Sequence, residues 1–192
     1  MKYLSLVTVD KRAFARRDGY AWHKAIWEAF PGRPEDKRDF LFRVDDQRDE
    51  FRIHVLSPDQ PTPPAWGKWR TREIAGTFLE HDRYRFQLKA NPTLRRNADR
   101  RRIGLLREEN LRDWMARKAA VGGFGVEEDS LVMGAPMEER FFRGQTMGKH
   151  VAVDFRGVLR VQDREKFKRT FAAGIGSAKG FGFGLLMLEP VE

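Results

Sequence analysis

Hydrophobic and polar residues alternate along the first half of the chain in a pattern that predicts strands around one helix. The helix is expected over residues 18–30 and ends at Pro31-Gly32. Four prolines within residues 58–64 require an extended loop. Strands are predicted over residues 3–9, 40–44, 51–56 and 68–77. This order predicts a ferredoxin-like unit whose second helix is shrunken or missing.

The second half shows a similar order of predicted strands and helices. Strands are predicted over residues 84–89, 124–133, 149–161 and 185–188, and helices over about 105–120 and 163–173. Residues 139–148 indicate a protruding basic hairpin. We therefore expect an α+β protein built of two tandem ferredoxin-like (βαββαβ) domains, residues 1–80 and 81–192, without detectable sequence identity between the halves.

A glycine-rich loop precedes the last predicted strand. Five glycines in eleven residues allow positive φ angles and close approach to a ligand: Gly174, Gly176, Gly180, Gly182 and Gly184. The loop runs from a helix into a strand, whereas a dinucleotide-binding loop runs from a strand into a helix. Lys179 also stands where the third glycine of that motif would be. A phosphate-binding P-loop is excluded as well, because no Gly-Lys-Ser/Thr follows at the required distance.

The charge of the chain points to an anionic partner. Lys and Arg exceed Asp and Glu by nine, and residues 81–192 carry +7 of this surplus. From Arg83 to Arg107 there are nine basic residues, eight of them arginine, against the single acid Asp99. The planar guanidinium suits bidentate contact with phosphate, so this arginine-rich stretch indicates nucleic-acid binding. A solvated, charged loop is the alternative interpretation.

The helix over residues 18–30 offers candidate chemistry. At 100° per residue, Trp22, Ile26 and Phe30 form the core stripe. Tyr20, His23, Trp27 and Lys24 share one side at the border between core and solvent. A histidine three residues from a phenol lies within contact range, and its ordinary pKa is near neutrality. The alternative is a boundary histidine packed beside Trp27.

Other features of the sequence exclude several kinds of functional site and several classes of protein. The chain has no cysteine, which excludes disulfides and thiolate metal sites. No histidine pair has metal-ligand spacing, and no nucleophile elbow is present. The adjacent acids of Asp45-Asp46 and Glu138-Glu139 would diverge in extended backbone, so a two-metal nuclease is poorly supported. We expect no cofactor and no metal. Since the amino terminus lacks the apolar core of a signal peptide and no apolar run could span a membrane, a cytoplasmic protein is expected.

Several segments together resemble the CasE family, the Cascade-type CRISPR RNA-processing endoribonucleases of the repeat-associated mysterious protein class. The resemblance follows the family's order and spans nearly the whole chain. The tyrosine–histidine helix and the Ala-Asn-Pro of the middle segment make it specific, whereas the glycine-rich loop indicates only the class. The matching segments are residues 19–31, 38–44, 86–92, 155–159 and 174–188.

The resemblance implies a metal-independent endoribonuclease that binds the stem-loop of a CRISPR repeat and cuts at the 3′ base of the stem. The ribose 2′-OH would attack the adjacent phosphate, leaving a 2′,3′-cyclic phosphate. His23 matches the family's catalytic histidine and Tyr20 its companion tyrosine. Lys149 is a further catalytic candidate, expected to stabilise the charge that develops on the phosphate.

RNA partners and roles follow from the same resemblance. The enzyme would stay bound to its mature guide RNA and join a CRISPR surveillance complex. Candidate RNA-binding residues are Lys24, Lys89, Arg95, Arg96, Arg100, Arg101, Arg102, Arg140, Arg143 and Lys179. The glycine-rich loop would bring backbone N–H groups to the RNA, or it packs the two sheets together. A non-catalytic RNA-binding subunit of the same complex and an unrelated RNA-binding module are the alternatives.

Overall fold

The computed structural model describes residues 1–12, 18–32, 39–95, 101–143 and 146–191. The first half contains β1 (Tyr3–Asp10), α1 (Gly19–Trp27), β2 (Leu41–Asp46), β3 (Glu50–Ser57) and β4 (Lys68–Glu73). These strands form one antiparallel sheet in the order β2-β3-β1-β4. No helix occurs between β3 and β4, a segment that the structure describes throughout, so the prediction of a missing second helix is confirmed. The last strand is shorter than predicted and ends at Glu73.

The second half begins with β5 (Arg83–Ala90), β6 (Thr93–Arg95), β7 (Arg102–Gly104) and α2 (Glu108–Gly122). It continues with β8 (Phe124–Val126), β9 (Val132–Met133), β10 (Met137–Arg143), β11 (Thr146–Val161), α3 (Arg164–Ala173) and β12 (Leu186–Pro190). The main sheet has the order β12-β5-β11, and β8, β9 and β10 pair with the other edge of β11. This is the same strand order as in the first half, so the fold is two tandem ferredoxin-like units, as predicted.

Two predictions for the second half were wrong in detail. Residues 124–133 do not form one strand, because a 3₁₀ turn (Glu128–Ser130) separates β8 from β9. The Ser130 hydroxyl accepts a hydrogen bond from the Val158 N–H at 2.8 Å and so replaces the missing ladder contact. The arginine-rich stretch is also not only a loop, since β6 and β7 pair within it.

Each half has its own hydrophobic core, and a third cluster joins them. This cluster combines Leu41 and Leu56 of the first sheet with Phe171 and Leu185 of the second half. The Arg43 guanidinium, with only 6% of the residue exposed, also binds Asp154 of β11 at 3.0 Å. The two sheets are therefore held together by packing and by an ion pair whose guanidinium is buried. The domain boundary at residue 80 stays a prediction.

None of the helices in the described segments combines the length and the apolar character that crossing a membrane requires.

Candidate active site

Helix α1 presents Tyr20 and His23 on one side, as the helical wheel predicts. Asp18 caps the helix, because its Oδ1 accepts the Ala21 N–H at 2.8 Å. Trp22 and Ile26 are buried and fix the rotation of the helix against the first sheet. The two candidate rings then lie half-buried and nearly parallel, with centroids 6.5 Å apart.

Aromatic rings surround His23. The imidazole centroid lies 5.6 Å from Trp27, 5.6 Å from Phe40 and 6.4 Å from Phe42. Such packing restricts the rotamer of the imidazole, so the ring is held at one place on the helix. Lys24 is exposed and its Nζ lies 4.8 Å from the centroid of the Tyr20 ring, which places a cation beside the phenol.

The glycine-rich loop touches the start of α1. Residues Lys179–Phe181 form a 3₁₀ turn, and the Phe181 ring lies 6.0 Å from Tyr20. A Cβ at Gly19 would lie 2.5 Å from the carbonyl oxygen of Phe181, so only glycine permits this approach. A Cβ at Gly180 would lie 3.9 Å from the His23 Nδ1, which places the loop backbone beside the imidazole.

The loop also packs against the first sheet. Four of its five glycines have positive φ angles, and Gly180 is the exception. A Cβ at Gly174 would lie 2.9 Å from the Leu41 side chain, and one at Gly182 would lie 3.2 Å from Phe42. The interpretation of the loop as a packing device is therefore confirmed, and its contact with RNA stays a prediction.

The hairpin formed by β10 and β11 completes the junction. Its Phe141 ring lies 4.4 Å from Phe181 and stacks on His150 at 4.5 Å. The backbone N–H of Phe142 donates to the second carboxylate oxygen of Asp18 at 2.7 Å. Asp18 thus binds the start of α1 with one oxygen and the hairpin with the other, which couples the two elements.

A polar network ties the loop to both central strands. The Asn91 Oδ1 accepts the Val151 N–H at 3.2 Å, so its amide nitrogen points toward the His150 Nδ1, 3.1 Å away. The Ser177 hydroxyl donates to the Asn91 carbonyl oxygen at 3.2 Å. Burial lowers the pKa of His150 below its ordinary value, although the Glu139 carboxylate partly opposes this shift. His150 therefore serves as a neutral hydrogen-bond acceptor from Asn91.

Lys149 does not join the aromatic junction. It pairs across the hairpin with Arg140, and both cations bind Glu138, at 2.9 Å and 3.2 Å respectively. Successive residues of a strand face opposite sides of the sheet, so Lys149 lies on the face opposite His150.

Two other predicted RNA-binding lysines make internal contacts. The Lys89 ammonium lies 2.6 Å from the Glu139 carboxylate and 5.5 Å from the centroid of Phe183. The Lys179 Nζ donates to the carbonyl oxygen of Ala173 at 2.7 Å, at the end of α3. Both lysines therefore hold the glycine-rich loop and its surroundings in place.

The predicted arginines fall into two groups. Arg95, Arg101 and Arg102 are exposed in or beside the β6–β7 hairpin. Arg96, Arg100 and the side chain of Arg143 lie outside the described residues.

Sequence reasoning missed Asp18, Phe141, His150 and Phe181 as parts of this site. Asp18 carries a detectable signal, since an aspartate directly before a helical pattern is a preferred cap. The other three are aromatic residues in strand or loop patterns that say nothing of their common location. The junction offers an imidazole for proton transfer and a phenol for hydrogen bonding, with the loop backbone beside them.

Known proteins are similar to this chain in sequence and in fold. A family model described as CRISPR associated protein matches residues 2–190. The chain is 33% identical over 206 residues to the CRISPR system Cascade subunit CasE of Escherichia coli (strain K12), covering 98% of this chain and all of that protein. It is also 33% identical over 198 residues to the CRISPR-associated endoribonuclease Cse3 of Thermus thermophilus, covering 92% of this chain and 93% of that protein.

Solved structures agree with these similarities. The structure of CRISPR endoribonuclease Cse3 bound to 19 nt RNA matches 99% of this chain and all of its own with a TM-score of 0.86 and 25% identity. The crystal structure of the CRISPR-associated protein Cas6e from Escherichia coli matches over the full length of both chains with a TM-score of 0.77 and 26% identity.

Proposed function

This chain belongs to the family of CRISPR-associated proteins, and on this basis we propose that it is an endoribonuclease that processes CRISPR precursor RNA. Its full-length relatives are the Cascade subunit CasE and the endoribonuclease Cse3. The observation that carries the proposal is the position of Tyr20 and His23, side by side where α1, the glycine-rich loop and the β10–β11 hairpin meet.

The proposed substrate is the stem-loop of a CRISPR repeat, cut at the 3′ base of the stem. The 2′-OH loses its proton and attacks the adjacent phosphorus, while the bond from phosphorus to the 5′ oxygen breaks. The products are a 2′,3′-cyclic phosphate and a 5′-OH, which receives a proton. His23 moves a proton at one of these two oxygens, and Tyr20 orients the phosphate. This scheme uses side chains for proton transfer and needs no metal ion.

RNA binding would involve the basic side chains of the second half together with Lys24. An A-form stem hides its base edges in a deep groove, so recognition rests on shape and phosphates. Arg95, Arg101, Arg102 and Arg140 are exposed and suit this role, as do Arg96, Arg100 and Arg143 by sequence. Lys89 and Lys179 would need to exchange an internal contact for a phosphate.

Lys149 remains a candidate for stabilising the phosphate charge. In this structure its ammonium binds Glu138, so the role requires that bound RNA draw the lysine away. A Lys149→Gln variant that cleaves at the native rate would remove the assignment.

The proposed protein stays bound to the mature guide RNA as a subunit of a cytoplasmic CRISPR surveillance complex. One relative is named as a Cascade subunit, which supports this placement.

The test is cleavage of a synthetic hairpin with the source's own repeat sequence, in excess EDTA. We expect cutting at one site, with a cyclic phosphate on the upstream product. A matched hairpin with a 2′-deoxy nucleotide before that bond should bind equally and stay intact, since the attacking oxygen is absent. Cleavage of the deoxy hairpin, or loss of activity in EDTA, would contradict the mechanism. Tight binding of both hairpins without cleavage would make the protein a non-catalytic RNA-binding subunit.

A further inference from the structure

A cationic cavity lies beside the first part of the glycine-rich loop, and Gly180 is not among its lining residues. It has a volume of about 540 Å³ and is bounded by the β6–β7 hairpin, by α2 and by the loop residues Gly176 to Lys179. Four basic side chains line it, and no acidic side chain does so among the described residues: Arg95, Arg102, Lys118 and Lys179. We call this the cationic cavity.

The positive charges of the cavity are placed against one another. Arg95 and Arg102 are directly opposite in the β6–β7 ladder, an arrangement in which like charges destabilise the pair. Burial, together with the charges of Arg117 and Arg102, lowers the pKa of Lys118. An anion in the cavity would relieve this repulsion, and a cleft lined by charges of one sign attracts ligands of the opposite sign.

The backbone of the loop supports the same ligand. Ala178 has a φ of +59°, a left-handed conformation that is common for glycine but rare for an alanine. Strain of this kind concentrates at ligand-binding segments, and left-handed residues form concave arrays of N–H groups that bind anions. The hydroxyls of Thr93 and Ser177 also line the cavity.

The lining of the cavity at Trp114 favours a phosphate over a nucleobase as the ligand. Trp114 is 2% exposed and its ring stacks on Phe155, with centroids 5.6 Å apart, so its face is already covered. Lys118 lies 5.8 Å from the same ring. A nucleobase therefore finds no open aromatic face here, whereas a phosphate finds several cations.

We propose that the cationic cavity binds a backbone phosphate of the RNA within a few nucleotides of the bond that is cut. This rests on the proposed function, and it adds Lys118 and Ser177 to the binding residues. Gly180 lies beside His23, and the four peptide units from Gly176 to Gly180 span at most about 15 Å. A duplex strand carries one phosphate per about 3.4 Å of helix axis, so about four nucleotides span the length of this loop, and one short stretch of RNA reaches both the cavity and His23.

The first experiment measures the dissociation constant of the repeat hairpin as a function of salt for Lys118→Gln and Arg102→Gln. Each variant should bind about tenfold more weakly at low salt, as expected for the loss of one charge-assisted hydrogen bond. The slope of log affinity against log salt should fall by about 0.7 to 0.9. The control Arg112→Gln removes an equal charge elsewhere on α2, where Arg112 binds Glu108, and should keep the native slope. Equal effects of all three variants would overturn the proposal.

The second experiment replaces single phosphates of the hairpin by uncharged methylphosphonates. With the native chain, replacement of one phosphate within about four nucleotides of the cut should lower the affinity for the hairpin. With Lys118→Gln, the same replacement should cause no further loss of affinity. The proposal would be overturned if this loss of affinity persists in the variant, or if the variant abolishes it only for phosphates far from the cut. Because the first experiment measures binding alone, it remains decisive if the hairpin is bound but not cleaved, the outcome that would refute the nuclease; the second experiment then counts positions from the 3′ base of the stem. Thermal melting of each variant identifies misfolding, and Arg102→Gln replaces Lys118→Gln if the latter fails to fold.

Discussion

Two consecutive parts of the glycine-rich loop lie in surroundings of different chemistry. Toward α1, the loop presents Gly180 and Phe181 to an aromatic junction that contains Tyr20 and His23. Toward α2, the preceding residues line a cavity whose charged lining residues, among those described, are all basic. The aromatic junction is held by ring packing and by the bonds of Asp18, so it keeps its shape without a ligand. The cationic cavity holds charges that repel one another and gains most when an anion enters.

The two regions suit two different functions, proton transfer at the aromatic junction and phosphate binding in the cationic cavity, and one loop borders both. Proton transfer requires groups at fixed distances, which packing supplies. Phosphate binding requires excess positive charge, which costs stability in the free protein. In the proposed mechanism, the loop between the two regions would set the spacing between the bound phosphate and the bond that is cut. Variants that affect one region and not the other test this separation.

His23→Ala should have the most severe consequence. Loss of one general acid or base typically lowers the rate about 10²–10⁴-fold, so cleavage should nearly cease while hairpin affinity changes little. Single-turnover cleavage and filter binding measure the two quantities. His81→Ala, which removes an exposed histidine just before β5, is the control and should cleave at the native rate. A His23→Ala variant with native activity would remove the histidine from the mechanism.

Gly19→Ala should have the second-largest effect. Alanine is normally the better helix former by about 1 kcal/mol, so propensity alone predicts a gain in stability. Because the added methyl would meet the Phe181 carbonyl oxygen, we expect instead a loss of about 1–3 kcal/mol in the free energy of unfolding and slower cleavage. Chemical denaturation shows whether the substitution lowers or raises the free energy of unfolding. Gly76→Ala is the control, since a Cβ there meets nothing within 4 Å. A stabilised Gly19→Ala variant would show that the loop and helix are not in close contact.

Asp18→Ala should cost about 0.5–2 kcal/mol of stability through the lost cap, and it should also slow cleavage. The second effect is expected because Asp18 also accepts the Phe142 N–H of the hairpin. Asp163→Ala is a matched control: Asp163 caps α3 through the Lys166 N–H, away from the junction. It should lower stability by a similar amount and leave the cleavage rate unchanged. Equal cleavage by the two variants would mean that the bond between Asp18 and the hairpin has no influence on the site.

The mildest change concerns the pH dependence of stability. Burial lowers the pKa of His150, so between the folded and unfolded pKa values the unfolded chain binds more protons. The stability contributed by His150 should therefore fall as the pH drops below about 6.5, the ordinary histidine value. Urea denaturation of native chain and His150→Gln at several pH values checks this: the variant should lose less stability on acidification. Parallel curves for the two proteins would exclude a buried, neutral His150.

Sequence reasoning succeeded where local patterns carry the information. The period of α1 placed Trp22 and Ile26 in the core and the Tyr20–His23 pair at its border, since helix geometry alone fixes these angles. The prolines of residues 58–64 excluded a helix. By contrast, the alternating pattern of residues 149–161 shows that Lys149 and His150 face opposite sides of a strand, but not which side meets the junction, because either face of that strand could be buried.

Residue types and short-range spacing were enough to establish most elements, the basic second half and the resemblance that connects Tyr20 and His23 to RNA cleavage. Folding was needed to bring two further groups of residues together. Asp18, Phe141, His150 and Phe181 meet at one junction, and Lys118 shares a cavity with Arg95 and Arg102. The physical reason is that these contacts join residues far apart in the chain. Their positions follow from strand order and from packing between the two sheets, and no local period encodes either.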